Sequence, residues 1–467
     1  MEIEVLKKLI DKHLRGFPSR NARIRKGELY YENRNDILRR KNPVEEKIKE
    51  TDSNSALRNA DNRVSIPWHS LLVDQKASYT MTIPPTFDVK DDEVNEEITK
   101  LLGDHFPKVA KDLCVNASNA GIAWLHYWVD TNYKNFYRYA VIDTKQIIPI
   151  YSKRLENTLE GILRVYEDTN EEGEALIVYE YWTDSECQVV SRKKSDTLDE
   201  LASHEVFDVV DIATNEVVGT TDTFTHDFEA VPFIPFRNNP KELPDLRRYK
   251  KLIDVYDKVY SGFVNDIDDI QEVILILTNY GAEDKKEFLD DLKRYKMVKL
   301  DDDGDEKSNL DTLSIEIPIE ARASLLETTR ELIFLHGQGV DPLKNIGQNN
   351  SGAALEYMYS LLELKSSMLE TEFKMGFAEL IRSILRYSNK DADVAIEQKW
   401  TRTSIKDETK IAEIIYKLAP VTSKESIAKN NPLVEDWQEE LESLKGELED
   451  SYRAEDDYKG GEGGDGD

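Results

Sequence analysis

Apolar and aromatic residues recur at intervals of three and four along one stretch of the chain: Leu246, Tyr249, Ile253, Tyr256, Tyr260, Phe263, Ile267, Ile270 and Ile274. Lys250, Asp254, Asp257, Asp266 and Asp269 lie between them. That spacing marks one face of an α-helix. It predicts a continuous helix from about Asp245 to Thr278, roughly 50 Å long at 1.5 Å per residue. A helix so far above the usual length of about 12 residues cannot cover its apolar stripe alone and needs long partners. Two are legible. Helical pattern returns from Ile319 to about Leu335. After Ser351, a plausible N-cap, a very long helix carries Leu355, Met358, Leu361, Leu362, Met368, Leu369, Phe373, Phe377, Leu380, Ile381, Ile384 and Leu385, with Gly376 placed to permit a bend.

These helices are not continuous with one another. Residues 281–318 hold GAEDKKEF, the strand-like YKMVKL, the acidic DDDGDEK and the alternating LSIEIPI, so a small α/β insertion separates the first two. The stretch GQGVDPLKNIGQNNSG, 337–352, has four glycines, one proline and three asparagines and must be a loop. Toward the N-terminal side, VPFIPFRNNP (231–240) contains three prolines in ten residues. It reads as extended backbone and a boundary.

Before that boundary the texture is mixed. MEIEVLKKLIDKHLRGF is an amphipathic helix with Ile3, Leu6, Leu9, Ile10 and Leu14 on one face, and Glu2 and Glu4 stand where an export signal needs positive charge. Helical stretches are expected at Ile66–Met81 and Glu93–Asn119. Strands are expected at 121–130, 144–152, 159–168 and 175–184, segments rich in β-branched and aromatic residues with turn residues between them. Together these form one α+β domain. The C-terminal part reads as three short helices punctuated by Pro420 and Pro432, followed by a glycine-rich acidic tail expected to be disordered.

Charge narrows the function. Against 62 Lys and Arg stand 92 Asp and Glu, a net −30, so the chain as a whole repels nucleic acid and anionic membranes, and any DNA contact must be local or weak. No apolar run approaches the length that spans a bilayer. Cys114 and Cys187 sit in apolar settings that favour buried free thiols.

Enzymatic signatures are missing: no Walker motif, no G-x-S-x-G, no H-E-x-x-H, and histidines without ligand spacing. Asp301, Asp303 and Asp305 imitate the start of a calcium loop. The sixth position, however, is Glu306 rather than Gly, and the twelfth is Thr312 rather than a bidentate Glu. An acidic turn is the better reading, and no metal or cofactor is expected. The pair Tyr30 and Tyr31 and the cluster Trp124, Tyr127 and Trp128 have the chemistry to stack nucleic-acid bases. Without basic residues around the tryptophans, core packing is favoured.

The order of parts resembles one family, the portal proteins of long-tailed bacteriophages infecting Gram-positive bacteria. The resemblance is carried by YYENRNDILRR (30–40), NRVSIPWHSLLVDQKASYTM (62–81), NAGIAWLHYWVD (119–130), VPFIPFRNNP (231–240), the run from DLRRYKKLIDVYDKV to LTNYG (245–281), NNSGAALEYMYSLLELKSSM (349–368) and VTSKESIAKNNPLVEDWQEELESL (421–444). It implies a non-enzymatic subunit of a homo-oligomeric ring, commonly a dodecamer, at one vertex of the phage head. The ring serves genome packaging, head-to-tail attachment and DNA ejection.

The α+β fold it implies has an N-terminal region and wing (1–242), stem helices (243–279 and 319–336) around a clip (280–318), a tunnel loop (337–352), a long kinked helix with the remaining wing (353–403), a helical crown (404–450) and an acidic tail (451–467). Lys344, Asn345, Gln348, Asn349 and Asn350 would meet DNA from the tunnel loop, Lys344 being the only charge between Leu343 and Leu355. Asp301, Asp302, Asp303 and Asp305 would belong to the surface docking the packaging motor and later a head-completion adaptor. Arg247, Arg248 and Lys251 near the start of the first stem helix, with Asp266 and Asp269 near its end, are candidates for pairing between subunits. Implied partners are double-stranded DNA, the terminase motor, the adaptor, and capsid and scaffolding proteins, with no membrane. The expected location is the portal vertex of the virion, after assembly in the host cytoplasm. The competing reading is an acidic helical scaffold or adaptor of the virion without a DNA channel.

Overall fold

The computed structural model describes residues 2–39, 60–129, 137–210, 214, 216–270, 274–278, 309–313, 318–343 and 352–402, with isolated positions between 417 and 444. The chain divides into two compact units, Met1–Pro342 with Tyr359–Thr403, and Leu343–Met358 with Ser404–Asp467. In the second, the described backbone is chiefly the start of one helix at Gly352. The expected C-terminal helices and acidic tail lie almost wholly outside the described residues. The contacts that follow belong to the first unit.

In chain order the elements are α1 (Ile3–Leu14), α2 (Phe17–Tyr31), α3 (Trp68–Met81), β1 (Thr86–Asp88), α4 (Asp92–Leu102), α5 (Phe106–Ala120), β2 (Ile122–Val129), β3 (Tyr137–Ile142), β4 (Ile147–Tyr151), β5 (Leu159–Thr169), β6 (Ala175–Trp182) and β7 (Glu186–Lys193). Then come β8 (Ala202–Ser203), β9 (Phe207–Val210), β10 (Val217–Thr221), β11 (Thr223–Thr225), β12 (Phe233–Arg237), α6 (Leu246–Ile270), β13 (Ile274–Thr278), β14 (Asn309–Leu313), α7 (Ile319–Gly337), α8 (Gly352–Tyr387) and β15 (Glu397–Lys399). No helix of the described residues is long and apolar enough to cross a membrane.

Period-two alternation in the strands builds the layers. β12, β2 and β3 form an antiparallel sheet, and β11, β7, β6, β5 and β4, with β8 on β7, form a second. On β2, Ala123, Leu125 and Tyr127 join Ile234 and Phe236 of β12 in a core with α4, α5 and the later turns of α8, whereas Ile122 and Trp124 pack with Ile162, Val178, Trp182, Cys187 and Val189 of the second sheet. The far face of that sheet, Leu163, Tyr179, Tyr181 and Val190, is covered by Leu6 and Ile10 of α1. The α1 helix therefore closes a four-layer stack of helices, sheet, sheet and helix. Trp124 and Tyr127 are core residues, and both cysteines are buried and free.

Two sequence expectations need correction. The stretch Glu93–Asn119 is two helices, because Gly103 at φ 64° ends α4 and Pro107 in the first turn of α5 cannot continue a helix. The helix expected to reach Thr278 falls short of it: α6 is described over Leu246–Ile270, and Ile274–Thr278 is a strand paired antiparallel with Asn309–Leu313. In VILILT the amphipathic spacing gives way to an unbroken apolar run rich in β-branched residues, which fits a pleated surface better than a helix face. The extended backbone expected at 231–240 contains strand β12, α7 starts at Ile319 and α8 is one helix over Gly352–Tyr387, as expected, whereas α2 and β3 were not placed from the sequence. Gly376 serves close packing, because a Cβ there would sit 2.7 Å from the Phe236 ring.

Candidate functional site

The antiparallel pair α6 and α7 shares a core with α2 and α3, formed by Leu246, Tyr249, Ile253, Ile333, Phe334, Tyr30 and Leu72. Along α6 lies the extended segment 60–66. The backbone N–H of Asn62 donates to Asn265 Oδ1 (2.6 Å), that of Val64 to Ser261 Oγ (3.0 Å) and that of Ile66 to Asp257 Oδ1 (3.1 Å). Every second residue of the strap thus meets every fourth residue of the helix. The match is geometric: two extended residues advance about 6.7 Å and four helical residues about 6 Å.

Asp257 also accepts from Asn35 Nδ2 at 2.7 Å and is fully buried, with no cation paired to it among the described residues. Burial raises its carboxyl to about 6. A carboxyl whose folded value exceeds its unfolded value contributes stability that is complete below about pH 4 and is lost as pH rises through 6. Wild type should therefore lose on the order of 2 kcal/mol relative to Asp257→Asn between pH 4 and 7, read by urea unfolding at each pH. A constant difference across that range would contradict the assignment.

Where α3, α6 and α8 meet, the protein buries three charges. Asp245, one residue before α6, accepts from Lys76 of α3 (2.7 Å) and Lys365 of α8 (3.0 Å) through the same oxygen, Oδ2. Asn238 Nδ2 donates to its other oxygen at 2.8 Å, and Lys76 also donates to Asn238 Oδ1. Burial works against the Asp245 carboxylate, but the two ammonium groups outweigh it and hold the carboxyl far below its ordinary range. One carboxylate cannot fully compensate two amines, and burial brings Lys365 down to about 8. His69, beside this cluster, is kept neutral by burial, near 4, while bonding Tyr249 and Asn119.

The turn leaving α7 is fastened on every side. Lys365 Nζ donates to the Gly337 carbonyl (2.9 Å), at the helix C-terminus where carbonyls lack partners. Gln75 of α3 both donates to Val340 O (2.7 Å) and accepts from Val340 N (3.0 Å). Arg248 of α6 donates to Gln338, and Arg330 pairs with Asp341. Leu72 packs so closely that a Cβ on Gly339 would fall 2.3 Å from its methyl.

Within the chain, Arg248 donates to Gln338, and Asp266 pairs with Arg322 of α7. Lys250 holds Asp36 and Asp254. Arg247 and Lys251 are exposed on α6. Asp269 lies in α6, its side chain outside the described residues, as are Asp301, Asp302, Asp303, Asp305, Lys344, Asn345, Gln348, Asn349, Asn350 and Ser351. The Lys76–Asp245–Lys365 cluster and the strap were not read from the sequence. Lys365 shares a face of α8 with Leu362, Ser366 and Leu369, all buried, and that register was the available signal.

The family model described as phage portal protein, SPP1 Gp6-like, matches residues 8–453. The portal protein of Clostridium phage phiCD119 is 38% identical over 453 residues, 94% of each chain. The portal protein of Bacillus phage SPP1 is 29% identical, covering 99% of this chain and 90% of its own. Among solved structures, a chain from the neck of an empty GTA particle superposes with a TM-score of 0.45 at 12% identity, over 77% of this chain and 89% of that one.

Proposed function

We propose, because the chain belongs to the SPP1 Gp6-like family of phage portal proteins, that it forms the ring at one vertex of a phage head through which double-stranded DNA is packaged and ejected. The observation that carries this reading is the family match over nearly the whole chain, 8–453, together with a relative aligned across 94% of both sequences. In this reading the layered α+β part is the wing and α6 with α7 is the stem. The insertion whose ends are joined by β13 and β14 is the clip, meeting terminase and then the adaptor. The excursion between α7 and α8 is the tunnel loop, and the C-terminal residues form the crown.

The ring is a structural component, with ATP hydrolysis left to the motor that docks on it. Its location is the portal vertex of the virion, reached from the host cytoplasm. The net −30 suits a conduit, because neutralising many phosphates would make DNA adhere in a salt-dependent way. Arg247 and Lys251, exposed on α6, are the members of the basic group that remain open to acidic side chains of a neighbouring subunit in a closed ring.

Lys344 is the single basic group in its part of the loop. Lys344→Glu, in a packaging assay with terminase and empty heads, is expected to slow DNA uptake several-fold while rings still form. Unchanged packaging would remove Lys344 from the channel contact.

A further inference from the structure

Two excursions leave the stem helices, and each is closed at its base. The one between α6 and α7 is closed by the β13–β14 ladder. The one between α7 and α8 has no strand ladder among the described residues. Among the described residues Lys365 bridges it, its Nζ reaching the Gly337 carbonyl across 28 positions of sequence. We propose that Lys365 is a positioning residue: held on Asp245, it pins the C-terminus of α7 to α8 and fixes the turn that leaves α7 at Gly337–Val340, and through that turn the handling of DNA. The functional half rests on the portal reading.

The arrangement goes beyond what folding requires. Lys76 alone, with Asn238, would satisfy Asp245, and a second buried amine adds a desolvation cost with no second carboxylate to offset it. What the second amine adds is the bond to Gly337. Its anchorage is stiff, because the neighbouring turn of α8 is held to α3 by Tyr79–Glu363 (2.7 Å) and Thr80–Ser366 (3.1 Å). The turn it holds is the one Gln75 brackets at Val340, so α3, α7 and α8 are registered at one place.

The test uses full-length rings carrying Lys365→Met, which keeps length and removes the donor and the charge. Hydrogen exchange is read at the amides of Gly339, bonded to Phe334 O, and Val340, bonded to Gln75. Amides of β5 and β6 serve as the internal reference, and DNA uptake is measured on the same rings. Expected are exchange at least about tenfold faster at Gly339 and Val340, unchanged protection in β5 and β6, intact rings, and altered DNA uptake or retention. Unchanged exchange at the two amides would overturn the clasp, and faster exchange with normal DNA handling would overturn its functional role. If Lys365→Met does not assemble, Gln75→Ala decides, since it frees Val340 without touching the buried charges: the same local loosening and DNA defect support the proposal, and normal DNA handling despite loosening refutes it. Wild-type rings that take up no DNA would sink the portal reading itself, while the exchange data would still decide the clasp.

Discussion

Asp245→Ala is expected to destabilise the protein by about 3–5 kcal/mol, because removing one member of a buried ionic group leaves the others uncompensated. In thermal unfolding of a chain of 467 residues this corresponds to a drop of about 3–5 °C. Two ammonium groups, those of Lys76 and Lys365, would remain in a space where both are almost wholly excluded from solvent. They would be left with Asn238 and the Gly337 carbonyl as acceptors. The loss has a pH signature. Without the carboxylate Lys365, already brought down to about 8 by burial, gives up its proton more readily, so the penalty should shrink between pH 7 and 9.5 as its neutral form takes over. Asp74→Ala is the matched control, on an exposed carboxylate bonded to Tyr31, and should change stability by no more than about 0.5 kcal/mol. Equal effects of the two substitutions would show that the buried charges are not coupled as the geometry indicates.

The second large effect is Gly121→Ala, best measured beside Gly173→Ala. Both glycines have positive φ, 93° and 81°, so each alanine incurs the left-handed penalty of about 1–2 kcal/mol. Their surroundings separate them. A Cβ on Gly173 meets nothing within 4 Å, whereas a Cβ on Gly121 would lie 2.1 Å from the Glu242 carbonyl oxygen. That oxygen is backbone and cannot rotate away. Gly121 is itself tied on both sides, its N–H to Ala117 O and its carbonyl to Asn238 N. Relief would have to move the segment that leads into Asp245. Gly121→Ala should therefore cost at least about 3 kcal/mol in chemical denaturation, and Gly173→Ala about 1 kcal/mol. Similar costs at the two sites would mean that the α5–β2 corner has room the structure does not show.

How much of this was readable beforehand depends on the range of the interaction. Strand alternation at Ile122–Val129 and Ala175–Trp182 and the helical periods of α7 and α8 are local patterns, and they placed those elements within a few residues. The ends of α4 and α6 were misplaced because periodicity was extended across Gly103 and into VILILT, where turn chemistry and a β-branched run compete with it. The buried charges were invisible for a different reason. Lys76, the pair Asn238 and Asp245, and Lys365 come from three separate stretches, and each residue alone looks like a surface residue on a helix or at a turn. Only tertiary packing makes one carboxylate serve two amines.

The strap shows the same limit, since Asn62, Val64 and Ile66 carry no sequence mark that identifies α6 as their partner. Arg248 and Asp266 were singled out for contacts between subunits, yet both find partners in their own chain, Gln338 and Arg322. A charge pattern on a helix gives sign and spacing but not the partner.

The most direct test of the central claim is the mass and shape of the purified full-length protein, by light scattering and negative-stain imaging at two salt concentrations. A closed ring of about a dozen subunits with a central hole is the expected result. A persistent elongated monomer or dimer at both salt concentrations would contradict it and favour an acidic helical scaffold.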